Sequence, residues 1–178
     1  CVDKVKTEFV NIIHADMWCA PNQDLELLKL YDDLDKNTRL IASSFRIQPK
    51  IFPQDPDYRP GTVFHTVEEF GEYHHNFNYN YFDDWATEFS NTNDLVVRKG
   101  GGAGFFCRVD SLFAPASWED MDLFVRMQLE GYEFKMITKS VLWHFGARGS
   151  HFRDEAKDDF TKKSKRQQEA EHINVQKW

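Results

Sequence analysis

The chain has 178 residues, of which 41% are hydrophobic and 29% are charged, so its composition is that of one folded domain and not of a disordered protein. The 22 basic and 29 acidic residues leave a net charge of −7, which argues against a general nucleic-acid or anionic-membrane surface. No apolar run approaches the ~20 residues of a membrane span, and the three cysteines are far apart without a CxxC pair, as is typical of a reducing compartment. We therefore expect a cytoplasmic domain with no membrane span and no nucleic-acid partner.

Strands and helices alternate in the first half of the chain. A β-rich run over residues 7–15 predicts a buried strand that ends at a polar tip, and a helix with apolar residues at helical spacing follows Pro21. Residues 40–45 predict a second strand, and the proline-rich stretch 48–62 predicts a long irregular loop. Thr66 and Glu69 form a capping box, which predicts a helix through about Phe82.

The second half continues the alternation. Residues 95–98 and 105–109 predict short strands on either side of a glycine-rich segment. Ser117 is placed to cap a helix over residues 118–130, which Gly131 ends, and residues 134–143 predict a strand that leads to His144. This order predicts an α/β sandwich. We expect one domain over residues 1–152 and a charged helix over 153–178 that is solvated or docks on another chain or domain.

Two histidines and an aspartate are candidate metal ligands. His14 and Asp16 alternate along the predicted strand and would therefore share one face. An imidazole and a carboxylate at this spacing suit a divalent cation such as manganese or magnesium, with phosphate oxygens as further ligands. The same pattern fits a polar strand end in which Asp16 caps the next turn. His144 follows another strand and is either a third ligand or a hydrogen-bonded core histidine.

Three further segments carry candidate site residues. Glu119 and Asp120 open the predicted helix, where one carboxylate could act as a general base or both could complete a capping box. Arg148 lies between glycines after the last strand and is a candidate phosphate ligand. The small residues 100–104 allow a close approach to a ligand or a tight turn, but they lack the P-loop pattern.

The order and spacing of these motifs resemble the carboxyl-terminal two-thirds of a nucleotide-sugar glycosyltransferase of the GT-A fold, family-2-like. The resemblance covers residues 5 to about 152 and is carried by HADMWCAP, GGGAGFFCR, WEDMDLFVRMQLEGY and SVLWHFGARGS. It implies a GT-A-like α/β/α sandwich from which the first part of the nucleotide-binding half is missing. His14 stands where that family has the first aspartate of its DxD motif.

The resemblance also implies roles for single residues. Asp16, His144 and His14 would bind a divalent cation, Mn²⁺ rather than Mg²⁺. Asp120, with Glu119 as the alternative, would deprotonate the acceptor hydroxyl in an inverting transfer. The donor sugar and its diphosphate would contact Arg148, Gly101, Gly102, Ala103 and Trp118.

The implied activity is transfer of a sugar from a UDP- or GDP-linked donor to a carbohydrate or other hydroxyl acceptor. Two alternatives stay open: an inactive sugar- or nucleotide-binding remnant of the same fold, and a metal-dependent hydrolase built on the same three ligands. Trp85 and Tyr81 either line an acceptor groove, because sugar rings stack on aromatic side chains, or belong to the core.

Overall fold

The computed structural model describes residues 6–35, 38–49, 58–59, 62–65, 70–71, 73–93, 97–99, 105–108 and 125–145. Its helices are α1 (Gln23–Asp32) and α2 (Tyr79–Thr92), and residues 125–129 are also helical. Neither α1 nor α2 has the length and apolar composition that a membrane crossing needs. The strands are β1 (Phe9–Ile12), β2 (Met17–Cys19), β3 (Leu40–Pro49), β4 (Tyr58–Arg59), β5 (Thr62–His65), β6 (Val97–Lys99), β7 (Phe105–Arg108) and β8 (Glu133–His144).

Two long parallel strands, β3 and β8, form the centre of one mixed sheet. β3 also pairs with β7 near its start and with β5 near its end, and β8 pairs with β6 and then with β2. β1 extends the sheet beyond β7, and β4 extends it beyond β5. β3 is almost entirely buried, as expected of a parallel strand that is covered on both faces.

Helix α1 covers one face of this sheet. Its inward positions, Leu27 and Tyr31, are one helical turn apart and both are buried, which is the spacing that gives a helix one apolar stripe. The Tyr31 hydroxyl donates to the carbonyl oxygens of Leu40, at 2.9 Å, and Phe106, at 3.0 Å. Its ring therefore packs as an apolar group while its polar end is satisfied.

Helix α2 and residues 125–129 cover the opposite face. Phe82 and Ala86 of α2 are buried against Phe45 and Trp143, and Met127 packs in a separate cluster that includes Ile41. With helices on both faces of a mixed sheet, the predicted α/β class is confirmed, whereas the GT-A assignment stays a prediction.

Strand β8 contains three residues that have no counterpart in β3. Ser44 is paired with Ile137, but the next residue, Phe45, is paired with Val141. Residues 138–140 therefore form a bulge in β8. The carbonyl oxygen of Lys139 in this bulge accepts a hydrogen bond of 2.8 Å from the Ser90 hydroxyl of α2.

The predicted helix does not run without a break to Phe82, because Phe70 is helical, residues 73–78 are not, and α2 begins at Tyr79. Thr66 and Glu69, its predicted start, lie outside the described residues. Gly71 has φ +98°, and a Cβ at this position would collide with the backbone carbonyl of Asn76, so the chain turns here in a way that favours glycine. The Asn76 side chain then accepts from the Tyr73 amide at 2.8 Å, which closes a turn. Asn78 caps the new helix by accepting from the Tyr81 amide at 3.2 Å.

The predicted irregular loop over residues 48–62 is also partly wrong. β3 continues through Pro49, and residues 58–59 and 62–65 form β4 and β5, with β5 parallel to the end of β3. The prolines suggested a loop, but Pro49 is the last residue of β3. A proline at the end of a strand removes no hydrogen bond from the middle of the strand. The helical residues 125–129 agree with the last part of the predicted helix 118–130, whose first part lies outside the described residues, as does the predicted helix over 153–178.

Candidate metal centre

Three ligating side chains converge at one edge of the sheet. His14 and Asp16 follow β1, and His144 is the last residue of β8. One ligand atom from each of them lies within 4.8 Å of the others. Within the part of the chain that the structure describes, this is the one group of three or more His, Cys, Asp and Glu side chains with such a separation.

A turn, and not strand alternation, brings His14 and Asp16 together. β1 ends at Ile12, so the prediction that both residues share the face of a strand is wrong. The Met17 amide donates to the His14 carbonyl oxygen at 3.2 Å, and the His14 amide donates to Met17 Sδ at 3.4 Å. These two contacts close a four-residue turn in which both side chains are near each other.

The end of β8 fixes this turn in space. Met17 is paired with His144 in the antiparallel contact of β2 with β8. The Phe145 amide donates to the carbonyl oxygen of Asp16 at 2.9 Å. The three candidate ligands are therefore held by main-chain hydrogen bonds at the carboxyl end of β8, the end at which parallel α/β sheets bind ligands.

Asp16 and His144 are close enough to interact directly. Asp16 Oδ2 is 3.4 Å from His144 Nε2, and the two side chains are 31% and 17% exposed. The hydrogen bond with His144 lowers the pKa of Asp16 below its ordinary value, against the opposing effect of partial burial. The exposed His14 ring lies edge-on to the His144 ring, with 6.3 Å between their centroids. The site therefore keeps Asp16 ionised, as a metal ligand must be.

A fourth residue, Gln48, contacts the other side of His144. Gln48 Oε1 lies 3.0 Å from His144 Nδ1, and the residue is only 5% exposed. The sequence analysis missed Gln48 because it placed this position in a loop. A signal was present, since a polar side chain that continues a buried apolar strand, after Ile47, needs a hydrogen-bond partner.

The donor set suits a divalent transition cation. Ligand atoms around one ion at about 2.0–2.2 Å are about 3 Å apart when adjacent and about 4.2 Å apart when opposite. The spread of 4.8 Å among the atoms of His14, Asp16 and His144 is close to this range. Two imidazoles and one carboxylate suit Mn²⁺, Fe²⁺ and Zn²⁺ better than Mg²⁺, which prefers oxygen ligands.

The structure brings together all three predicted metal ligands but does not describe the other predicted catalytic and donor residues. Those outside the described residues are Gly101, Gly102, Ala103, Trp118, Glu119, Asp120 and Arg148. Trp85 is partly buried in the aromatic core, with its ring 5.4 Å from that of Phe70 and 5.1 Å from that of Phe89. Tyr81 is 45% exposed beside Phe70. The acceptor role of both residues stays a prediction.

Comparisons of the chain with protein-family models, with curated proteins and with solved structures gave no match.

Proposed function

We propose that this chain carries the catalytic domain of a metal-dependent glycosyltransferase. It would move a sugar from a nucleotide-diphosphate sugar, UDP- or GDP-linked, to the hydroxyl group of a carbohydrate or other acceptor. The observation that carries the proposal is the convergence of His14 and Asp16 with His144, which is distant from them in sequence. The GT-A resemblance assigns cation binding to these three positions, and their side-chain atoms lie within 4.8 Å of one another.

The geometry also supports a substrate with a diphosphate group. A divalent cation held by His14, Asp16 and His144 would neutralise charge on the diphosphate, which is then a better leaving group. Three protein ligands leave further coordination positions for phosphate oxygens, because Mn²⁺ commonly takes six ligands. Arg148, which follows β8 by four residues, would contact the same diphosphate.

Asp120 is our candidate for the general base. Its carboxylate would accept the proton of the acceptor hydroxyl as that oxygen attacks the anomeric carbon, and the configuration at this carbon would invert. Glu119 is the alternative base. The Asp120→Asn variant should therefore bind the donor normally and lose transfer. Full turnover by this variant would exclude Asp120 as the base.

The deciding experiment is a thermal-shift panel of nucleotide diphosphates and nucleotide sugars, each with and without Mn²⁺. A donor at ~100 times its dissociation constant should stabilise the protein by about 2.7 kcal/mol. We expect a shift that requires both Mn²⁺ and one class of nucleotide. Asp16→Ala should abolish it, whereas Asp84→Ala, which changes an exposed carboxylate of α2, should not. The absence of a shift with every pair would favour the inactive remnant.

A metal-dependent hydrolase is the second candidate. The same open coordination positions favour it, because a metal-bound water is a nucleophile near neutral pH. The two candidates differ in their acceptor. Metal-dependent cleavage of a simple ester or glycoside by water, at the same rate with and without nucleotide, would support the hydrolase and contradict glycosyl transfer.

A further inference from the structure

We propose that Trp18, Tyr79 and Asp83 form the subsite that holds the acceptor, and that this acceptor is a neutral carbohydrate. The word acceptor rests on the glycosyl transfer proposed above. The binding of a saccharide to these three residues does not rest on it and can be measured without donor or metal.

Two aromatic side chains with fixed orientations form the surface of this subsite. Trp18 lies in β2, and its indole N–H donates to Asp83 Oδ1 of α2 at 2.9 Å. The Tyr79 ring is edge-on to the Trp18 ring, with 4.6 Å between their centroids, and its hydroxyl donates to the His74 carbonyl oxygen at 2.9 Å. Tyr79 and Asp83 are four residues apart and therefore share one face of α2. The polar groups of both rings are thus satisfied within the protein, which holds the rings in place.

Trp18 is the exposed end of the aromatic face of the sheet. It is paired with Trp143 in the antiparallel contact of β2 with β8, and side chains that are directly opposite in such a pair lie on the same face. Trp143 is fully buried beneath α2, whereas Trp18 is 37% exposed. A ring that is open to solvent and already held in one orientation can bind a ligand without a large cost of ordering.

The chemistry of the surface favours a saccharide. A sugar ring has an apolar C–H face, which packs on an aromatic ring, and hydroxyl groups, which donate to a carboxylate. A carboxylate has about four lone-pair sites, and the hydrogen bond from Trp18 uses one of those of Asp83. Asp83 can therefore accept from sugar hydroxyls while it still holds the indole.

The charges around the subsite favour the acceptor over the donor. The sequences of β2 and α2 contain no Lys or Arg, and α2 contains Asp83, Asp84 and Glu88. Such an acidic surface disfavours the diphosphate of a nucleotide sugar by repulsion but not a neutral saccharide. The ligand of this surface is therefore uncharged.

The chain itself keeps the subsite near the candidate metal centre. Trp18 follows Asp16 by two residues, and two residues of chain span at most about 7 Å. Met17, between them, is paired with the candidate ligand His144. A saccharide on Trp18 consequently lies next to the residues that would hold the cation and the diphosphate of the donor.

The test observes the indole of Trp18 while saccharides are added. In ¹H–¹⁵N spectra of the full chain each tryptophan indole N–H gives one signal, and Trp18→Phe assigns that of Trp18 by its loss. The probes are the methyl glycosides of glucose, galactose, mannose and N-acetylglucosamine, with lactose, maltose and cellobiose, added to tens of millimolar without nucleotide or Mn²⁺. We expect at least one of them to shift the Trp18 signal and to leave that of the buried Trp143 unchanged.

Variants then show whether all three residues contribute. Saturation-transfer NMR on the signals of the saccharide measures its affinity for each variant. Trp18→Ala, Tyr79→Ala and Asp83→Ala should each weaken binding about tenfold, and Asp83→Asn should weaken it less, because an amide oxygen is still an acceptor. The control is Leu25→Ala, which removes a side chain of α1 that is 50% exposed and should leave the affinity unchanged.

The wild-type spectra alone can overturn the proposal, even if a variant does not fold. No shift of the Trp18 signal with any probe would do so, and it would leave the transferase standing if Mn²⁺-dependent donor binding were intact. A shift of the signal of Trp85, which is partly buried in the aromatic core, in place of that of Trp18 would also contradict it. So would a Trp18 signal that responds only to the concentration of the chain, because the surface would then contact a second copy.

A last measurement separates an acceptor from a saccharide that only binds. With Mn²⁺ and the nucleotide sugar found by the thermal-shift panel, the saccharide that shifts Trp18 should increase the rate of nucleotide release, and Trp18→Ala should reduce this increase. A bound saccharide without such an increase would contradict the acceptor role. Saccharide binding at Trp18 in a chain that binds no nucleotide would contradict both the acceptor role and the transferase, and would favour the inactive sugar-binding remnant.

Discussion

The two faces of the central sheet are stabilised by different interactions. Beneath α1, four polar side chains form one chain of hydrogen bonds: Asn11 donates to Gln23 at 2.9 Å, Gln23 donates to Ser44 at 2.6 Å, and Ser44 and Ser140 are 2.8 Å apart. The Ser140 hydroxyl donates to the Gln23 carbonyl oxygen at 2.8 Å, so the proton between the two serines must come from Ser44. Gln23, Ser44 and Ser140 are all buried.

Beneath α2, the corresponding space is filled by aromatic rings. Trp143 is fully buried and lies within 4.9–5.7 Å, centroid to centroid, of the rings of Phe70, Phe77 and Phe82. Burial of such rings stabilises the folded state through the apolar area removed from water, and the rings can pack in several relative orientations.

The difference suggests that packing on one face mainly stabilises the fold, whereas hydrogen bonds on the other face mainly fix the positions of side chains. Apolar packing depends little on direction, whereas a hydrogen-bond chain fixes distances to within a few tenths of an ångström. The polar chain includes Ser140 of the β8 bulge, and the candidate ligand His144 follows it in the same strand. We therefore expect substitutions on the aromatic face to change the free energy of unfolding most, and those on the polar face to depend on one another.

The largest effect is expected for Phe82→Ala on the aromatic face. Phe82 is fully buried, so the substitution loses buried apolar area and leaves a cavity, at a cost of about 3–5 kcal/mol of unfolding free energy. Chemical denaturation measures it. Leu129→Ala is the control, because Leu129 is 72% exposed and should change the stability by less than about 0.5 kcal/mol. Similar costs for both variants would contradict the described core.

A smaller effect is expected for the buried serines beneath α1. Ser44→Ala and Ser140→Ala should each cost about 1–3 kcal/mol, because each leaves buried hydrogen-bonding partners unsatisfied. The double variant should cost clearly less than the sum of the two, since the serines share one hydrogen bond. A double-mutant cycle by chemical denaturation measures the coupling. Additive costs would show that the two serines act independently and would remove the contrast between the faces.

Asp16 makes stability depend on pH at the edge of the sheet. Folding lowers its pKa below the ordinary value of 3.8, so Asp16 contributes stability above that value and loses the contribution as the pH falls through its lower folded pKa. The unfolding free energies of the wild type and Asp16→Asn, both with chelator, should differ at neutral pH and converge as the pH falls below about 4. A difference that grows with acidity would have the wrong sign. Phe82→Ala should show no such convergence.

The smallest effect is expected on the outer surface of α1. Lys29 Nζ is 2.6 Å from Glu26 Oε1, and the lysine side chain is 65% exposed. The glutamate side chain is 21% exposed. A pair three residues apart on a helix contributes about 0.2–0.5 kcal/mol when the lysine is this exposed to solvent. Lys29→Ala should therefore change the midpoint of thermal unfolding only slightly, and added salt should reduce even that. If Lys29→Ala lost as much unfolding free energy as Ser140→Ala, contact distance and not burial would determine the strength of the interactions around α1.

The central strands and the first helix could be predicted from the sequence. The buried apolar runs over residues 40–45 and 134–143 became the long strands β3 and β8, and the helix after Pro21 became α1. These segments are predictable because burial on both faces or along one stripe imposes a pattern on nearly every residue.

The prediction failed where single contacts override local pattern. The left-handed φ of Gly71 and the cap by Asn78 interrupt the helix that was predicted to run through Phe82, so that α2 begins at Tyr79. The convergence of His14, Asp16 and His144 was expected from the order of motifs, but for an incorrect local reason. Gln48 could not be predicted as their neighbour, because its place beside His144 depends on the register between β3 and β8.

The bulge in β8 determines which residue of this strand lies beside Gln48. Successive residues of a strand point to opposite faces, so an odd insertion exchanges the two faces for the rest of the strand, and an even insertion does not. Residues 138–140 are an insertion of three, which turns Trp143 toward the aromatic face and places His144 beside Gln48. Deleting any one of these three residues, with the bulge kept at three, would move the following residues back by one position and bring Phe145 into the register beside Gln48. The three candidate ligands would then no longer converge, although His14, Asp16 and His144 all remained in the sequence.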